Sequence, residues 1–236
     1  MQKERAHKLI AQSGLMSRRK AELAIAEGRV ALNGVVFTEM GTLVDLSTDL
    51  LTVDGILIKP KTEKHTYLFH KPRGVVTTKQ DELGRPTVMD YFRDDLSLNP
   101  VGRLDFDSEG LLLMTHDGDL LLKLTHPRYG VKKIYEVEVS GGVTHSGWLQ
   151  LQQDLLTSVT LDDGPGKFDA IEIIGDSTTG NSSSSITQFK VTVSEGRNRF
   201  VRRMFEALGL RVVRLKRTQM GEHELGDLKP GEKRKI

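Results

Sequence analysis

The chain of 236 residues is 37% hydrophobic and has no cysteine, enough apolar content for an ordinary core, while disulfides, thiolate metal sites and cysteine nucleophiles are excluded. No apolar run approaches the roughly 20 residues of a membrane span, and Met1 to Lys8 lacks the apolar centre of a signal peptide, so no membrane association and a cytoplasmic location are expected. The net charge of +2 conceals two basic ends, +4 over residues 1–30 and +7 over 196–236, which leaves −9 between them; this layout suits a polyanion gripped at two places.

In chain order, the sequence predicts a helix from about Glu4 to Ser13 that stops at Gly14, then a second with Ser17 as N-cap and Gly28 at its end. Arg18, Arg19 and Lys20 fill the first turn of the second helix. Cations there oppose the helix dipole, so they call for a nearby anion, and nucleic-acid phosphate is the natural candidate. Arg5 and Lys8 add positive charge to the preceding helix. Asn33-Gly34, set between the β-forming runs 30–32 and 35–37, signals a type I′ hairpin. Helix, helix and hairpin within 60 residues resemble an S4 RNA-binding domain. The polar stretch Lys59 to Thr66 reads as a linker, giving a domain over 1–60, a linker over 61–66 and a larger domain over 67–236. In the larger domain, Tyr135, Val137 and Val139 alternate with Glu136 and Glu138, and Phe189, Val191 and Val193 alternate with Lys190 and Thr192, as in half-buried strands. Asp162 to Gly166 is expected to turn, and Asp176 to Ser185 to form a flexible surface loop. Phe200, Val201, Met204, Phe205 and Leu208 recur at helical spacing over 199–208, with Arg202 off their apolar face. Residues 212–217 then read as a strand with a basic edge. Mostly antiparallel strands with segregated helices make the fold class α+β.

Four motifs occur in a fixed order: Lys71-Pro72-Arg73-Gly74; Gly102-Arg103-Leu104-Asp105, followed by Gly110 and the apolar run Leu111 to Met114; Lys133-Ile134-Tyr135; and Glu195-Gly196-Arg197-Asn198-Arg199-Phe200-Val201-Arg202-Arg203-Met204. The second presents one carboxylate on a loop anchored by a buried segment. Together they resemble the signatures of the RsuA/RluB group of ribosomal RNA pseudouridine synthases, over nearly the whole chain. The resemblance implies an S4-type domain followed by a catalytic domain with a mostly antiparallel mixed sheet flanked by helices. It also implies isomerisation of one uridine in ribosomal RNA, in a hairpin or an assembly intermediate, by a monomer that needs no cofactor. No nucleotide-binding glycine loop, P-loop or metal cluster is visible in the sequence. Gly-Arg-Pro-Thr-Val at 84–88 and Glu-Gly-Arg-Asn-Arg at 195–199 lean towards the large-subunit branch, with the small-subunit RNA still open.

The reaction breaks the C1′–N1 bond of a uridine, turns the detached uracil and rebonds it through C5. By the resemblance, Asp105 labilises the glycosidic bond, either by attacking the sugar or by removing a ribose proton. Arg202 would pair with it in a buried site, with Arg203, otherwise expected to contact RNA, as the alternative if the helix phase slips by one. Tyr135 would pack its ring on the flipped base. Lys71 and Arg73 are expected to hold their loop and contact RNA backbone, structural support being the rival reading for Lys71. Arg103 is expected to contact phosphate or eject the base. Three positions depart from the pattern: Ser108 stands where threonine is common, Phe200 where Gln or Glu is usual, and His70 where Asn or Tyr is. Two other classes compete. Asp105, Asp107 and Glu109 could hold magnesium in a nuclease or phosphatase, or the chain could bind RNA without chemistry.

Overall fold

A computed structural model describes residues 3–59, 64–141, 145–177 and 186–236. The chain forms two compact units, Met1–Lys64 with Asp94–Leu98, and His65–Arg93 with Asn99–Ile236.

In the first unit, β1 (Glu4–Arg5) leads into α1 (Ala6–Gln12) and α2 (Arg18–Ala26), followed by β2 (Val30–Leu32), β3 (Val35–Val36), β4 (Leu43–Val44), β5 (Leu51–Val53) and β6 (Ile56–Leu57). The first helix is shorter than the sequence predicts. Glu4 and Arg5 pair instead with Val44 and Leu43, a partner about 40 residues away that local periodicity cannot reveal. The second helix starts where expected: Ser17 accepts a hydrogen bond from the Lys20 backbone N–H, satisfying one of the donors a helix start leaves open. Asn33 and Gly34 both take positive φ, 52° and 82°, as a type I′ turn requires. Ile10, Ala21, Ala24 and Ile25 from the helices pack on Val30, Val44, Leu51 and Val53.

The second unit contains β7 (Thr66–Lys71), β8 (Asn99–Pro100), β9 (Glu109–Thr115), α3 (Gly118–Thr125), β10 (Lys133–Ser140), α4 (His145–Thr157), β11 (Val159–Leu161), β12 (Gly164–Gly166), β13 (Ala170–Ser177), β14 (Ile186–Val193), α5 (Phe200–Glu206), β15 (Arg211–Met220), β16 (His223–Glu224) and β17 (Lys233–Lys235). Its main sheet runs β13-β14-β10-β15-β9-β7-β17, with β8 and β16 paired at its side. All these pairings are antiparallel except β15 with β9. The mixed architecture of a large sheet with helices matches the α+β expectation. Leu111, Leu113, Leu68, Leu124 and Met220 form one buried cluster, while Phe189 packs against Trp148 and Phe205. The expected turn at Asp162 to Gly166 is narrower than the sequence suggests, because Gly164–Gly166 pair with Val159–Leu161 as a hairpin. Of the expected loop 176–185, Asp176 and Ser177 close β13, and residues 178–185 lie outside the described residues, as do 60–63 of the expected linker.

Candidate active site

Asp105 lies on the loop between β8 and β9, and the chain's own glycines and hydroxyls fix that loop. Gly102 turns it at φ 73°, a conformation open to glycine at no steric cost. Thr77 donates to the Leu104 carbonyl at 2.7 Å, and the Gly74 N–H donates to the Phe106 carbonyl at 2.7 Å. The first motif therefore braces the second. Ser108 closes the turn, its N–H donating to the Asp105 carbonyl at 3.1 Å, before β9 enters the core with all seven residues buried.

The Asp105 side chain is 28% exposed and faces a cavity of about 390 Å³ lined also by Gly102, Arg103, Tyr135, Arg199, Phe200 and Arg217. That size lies within the range of about 300–1,000 Å³ typical of pockets for small molecules or single groups. Among the described residues the Asp105 carboxylate accepts no hydrogen bond, and its nearest cation is Arg199, whose Nη1 lies 3.9 Å from Oδ2. A carboxylate held in a cavity and not consumed by a protein donor is available to substrate.

Arg202 does reach this loop, but at a different acid from the one expected. Its Nη2 lies 3.2 Å from Asp107 Oδ2 and donates to the Asp107 carbonyl at 3.1 Å and to Ser108 Oγ at 3.3 Å, while Nη1 donates to the Val212 carbonyl at 3.2 Å. The expected Asp105–Arg202 pair is replaced by an Asp107–Arg202 pair, because the turn at 105–108 aims Asp105 into the cavity and brings Asp107 back over α5. Arg202 is also buried, 3% exposed, although helical spacing puts it off the apolar face of α5. Burial pulls its pKa below the ordinary arginine value, and Asp107 opposes that shift. Arg203 turns away to Asp163, at 2.8 Å, on the β11–β12 hairpin.

Lys71 corrects the expectation of an RNA contact. It is fully buried, and Nζ donates to the carbonyls of Pro72 and Ser108, each at 2.8 Å. Burial lowers its pKa to about 8, while Asp105, Asp107 and Glu109 act to raise it. Lys71 supports the loop from beneath. Arg73 and Arg103 remain exposed, with Arg103 on the cavity wall. Tyr135 is 9% exposed and lines the cavity from β10. Phe200 is buried, with its ring 6.1 Å from that of Phe168, so this position builds the wall. Of the predicted residues in the first unit, Arg5, Arg18, Arg19 and Lys20 are exposed, and Lys8 pairs with Glu4.

Lys133, Arg197, Arg199 and Arg217 are cavity cations to which sequence reasoning assigned no role. Arg199 stands inside the fourth motif but gives no periodic signal, being the N-cap of α5 at a left-handed φ of 49°. Arg217 is hidden by a β-bulge. The register of β15 against β10 slips between Glu138 and Val139, which shifts the inward phase from Val212 to Leu215 and Arg217. The carboxylates considered for magnesium do not converge: Asp107 binds Arg202 and Arg199, and Glu109 is buried against Arg214.

A cavity that combines one available carboxylate with aromatic rings and several guanidinium groups suits an anionic substrate. The sequence model of the RNA pseudouridylate synthases matches residues 65–207, a span that holds Asp105, Tyr135 and Arg202. Ribosomal large subunit pseudouridine synthase B of Bacillus subtilis is 39% identical over 99% of this chain and 92% of its own length. The protein of that name from Pseudomonas aeruginosa is 41% identical over 92% of this chain and 55% of its own length. A solved pseudouridylate synthase structure superposes with a TM-score of 0.66 at 28% identity, covering 98% of this chain and 95% of that one. The chain belongs to the RNA pseudouridylate synthase family and is a pseudouridine synthase.

Proposed function

We propose that the enzyme isomerises a specific uridine of ribosomal RNA, in the large subunit, with Asp105 as its essential carboxylate. The observation that carries this reading is the Asp105 carboxylate itself: it is loop-borne, bound by no protein donor among the described residues, and set in a cavity with Tyr135. The large-subunit target rests on the names of the Bacillus and Pseudomonas relatives. Asp105 acts on the sugar while Tyr135 packs against the flipped base. Arg202 holds the Asp107–Ser108 turn, so it sets the angle at which Asp105 meets the sugar. Arg103, at the cavity wall, contacts the RNA backbone or fills the gap left by the extruded base.

Residues 1–60 act as an S4-type module that grips the RNA through Arg5, Arg18, Arg19 and Lys20 by phosphate contacts, independently of sequence. A binding protein without chemistry has no use for an unbonded carboxylate in a cavity, so that rival is not favoured. The test is to incubate the enzyme separately with large- and small-subunit ribosomal RNA transcripts and map the pseudouridines formed. A single new site in the large-subunit transcript is expected. Modification of the small-subunit transcript alone would overturn the target, and modification of neither would overturn protein-free ribosomal RNA as the substrate.

A further inference from the structure

Arg217 is among the largest fully buried side chains of the molecule, 2% exposed, yet it lines the same cavity as Asp105. Among the described residues, only Nε of its three guanidinium nitrogens has a protein partner, donating to the Leu111 carbonyl at 2.8 Å. Nη2 is buried with no acceptor at all, and no carboxylate lies within ion-pair distance of the group among the described residues. Leaving a buried guanidinium unpaired is unfavourable. Its neighbours do not relieve it: Lys71 and Lys133 have pKa values lowered first by burial, and the charge of Arg217 lowers both further.

The backbone is built to put this cation there. Arg217 lies opposite Gly110 in the one parallel pairing of the sheet. A Cβ on Gly110 would sit 2.2 Å from the Arg217 carbonyl oxygen and 2.6 Å from its nitrogen, so only glycine allows the approach. On its other side Arg217 lies opposite Tyr135, beside the second slip in the β10–β15 register. The glycine of the Asp105 motif and the tyrosine of the third motif thus flank one unsatisfied donor.

We infer that Arg217 is a further catalytic residue, whose guanidinium donates to a carbonyl oxygen of the flipped uracil and holds the negative charge of the base while it is detached. This rests on the reading of the cavity as the uridine site. By either route open to Asp105, the C1′–N1 bond breaks with its electron pair on the uracil ring, which shares the charge with its two carbonyl oxygens. A pair from the ring then forms the C5–C1′ bond, either displacing the Asp105 carboxylate from C1′ or, on the other route, as Asp105 returns the ribose proton it had taken. C5 loses its proton and N1 gains one, so the reaction is a net isomerisation. A fixed donor in a desolvated cavity stabilises the charge as it develops, the condition under which such donors contribute most. A guanidinium has donors only and suits an oxygen acceptor.

The test couples one side chain to one substrate atom. Transcripts carrying C5-deuterated uridine, 2-thiouridine or 4-thiouridine are converted under single turnover by wild type, Arg217→Lys and Arg217→Met, with loss of deuterium as the readout. Sulfur accepts hydrogen bonds more weakly than oxygen, so one of the two thio substitutions is expected to slow the wild type by about tenfold or more. Arg217→Met should be slow on the oxygen substrate, bind RNA within about twofold of wild type, and lose little further on the same thio substrate. Arg217→Lys, which keeps a donor, should fall between. An equal sulfur effect in wild type and Arg217→Met would overturn the inference and leave Arg217 a structural residue or a partner for Asp105. Full activity of Arg217→Met would overturn it too. Failure of the underlying reading looks different: wild type and Asp105→Asn would then release deuterium equally from the oxygen substrate.

Discussion

Two buried cations, Arg202 and Lys71, both anchor the Asp107–Ser108 end of the Asp105 loop, and each yields a separate prediction. Arg202→Ala removes the donors to Asp107 and Ser108 and leaves their acceptors open, so turnover should fall by on the order of 100-fold while RNA affinity stays near wild type. Single-turnover rates and filter binding on the same preparations check this, and an equal fall in both would show that Arg202 serves binding. Lys71 couples to stability through pH. Its folded pKa is about 8 against an ordinary 10.5, so below pH 8 both folded and unfolded states carry the proton and the cost of burying the charge is present in full. Between pH 8 and 10.5 the unfolded state binds more protons than the folded one, and stability rises with pH. Comparing denaturant unfolding of wild type and Lys71→Met should show a relative gain for wild type over that window, on the order of 3 kcal/mol in total; parallel curves would mean that Lys71 holds its proton as firmly in the folded state as in the unfolded one.

At the scale of elements, the parallel pairing of β9 with β15 brings the carboxylate loop and Arg217 together. Gly110→Ala must push the two backbones apart, since its Cβ would meet Arg217 main-chain atoms at 2.2 to 2.9 Å. A destabilisation of at least about 3 kcal/mol is expected in thermal or denaturant unfolding, and a near-neutral result would show that the two strands sit further apart at this point. At the start of α2, Ser17→Ala should cost about 1 kcal/mol, the usual worth of a cap. Elements fixed by local chemistry were legible in the sequence: the Ser17 cap, the Asn33-Gly34 turn, and the alternation along β10 and β14. Features set by a distant partner were not. The pairing of β1 with β4 shortened α1, a register slip turned Arg217 inward, and the return of the 105–108 turn over α5 gave Arg202 to Asp107. Asp105 and Tyr135 were legible because their motifs name them; the geometry around Asp105 was not, because it depends on which side of a turn each acid faces.

For the whole molecule, the uneven charge has a measurable consequence. Arg18, Arg19 and Lys20 are exposed on the first turn of α2, in a unit separate from the one that holds Asp105. If this unit grips phosphate, replacing all three by alanine should weaken RNA binding and leave turnover at saturating RNA unchanged. The same change should flatten the dependence of binding on salt, by about one unit of log–log slope for each phosphate no longer neutralised. An unchanged slope would place the electrostatic grip elsewhere. The central claim remains that this cavity makes pseudouridine through one aspartate, and release of tritium from C5-labelled uridine in large-subunit ribosomal RNA tests it most directly, because C5 gives up its hydrogen only when the new bond forms. Wild type should release tritium and Asp105→Asn none above background, with RNA affinity retained. Equal release by both enzymes would contradict the role given to Asp105.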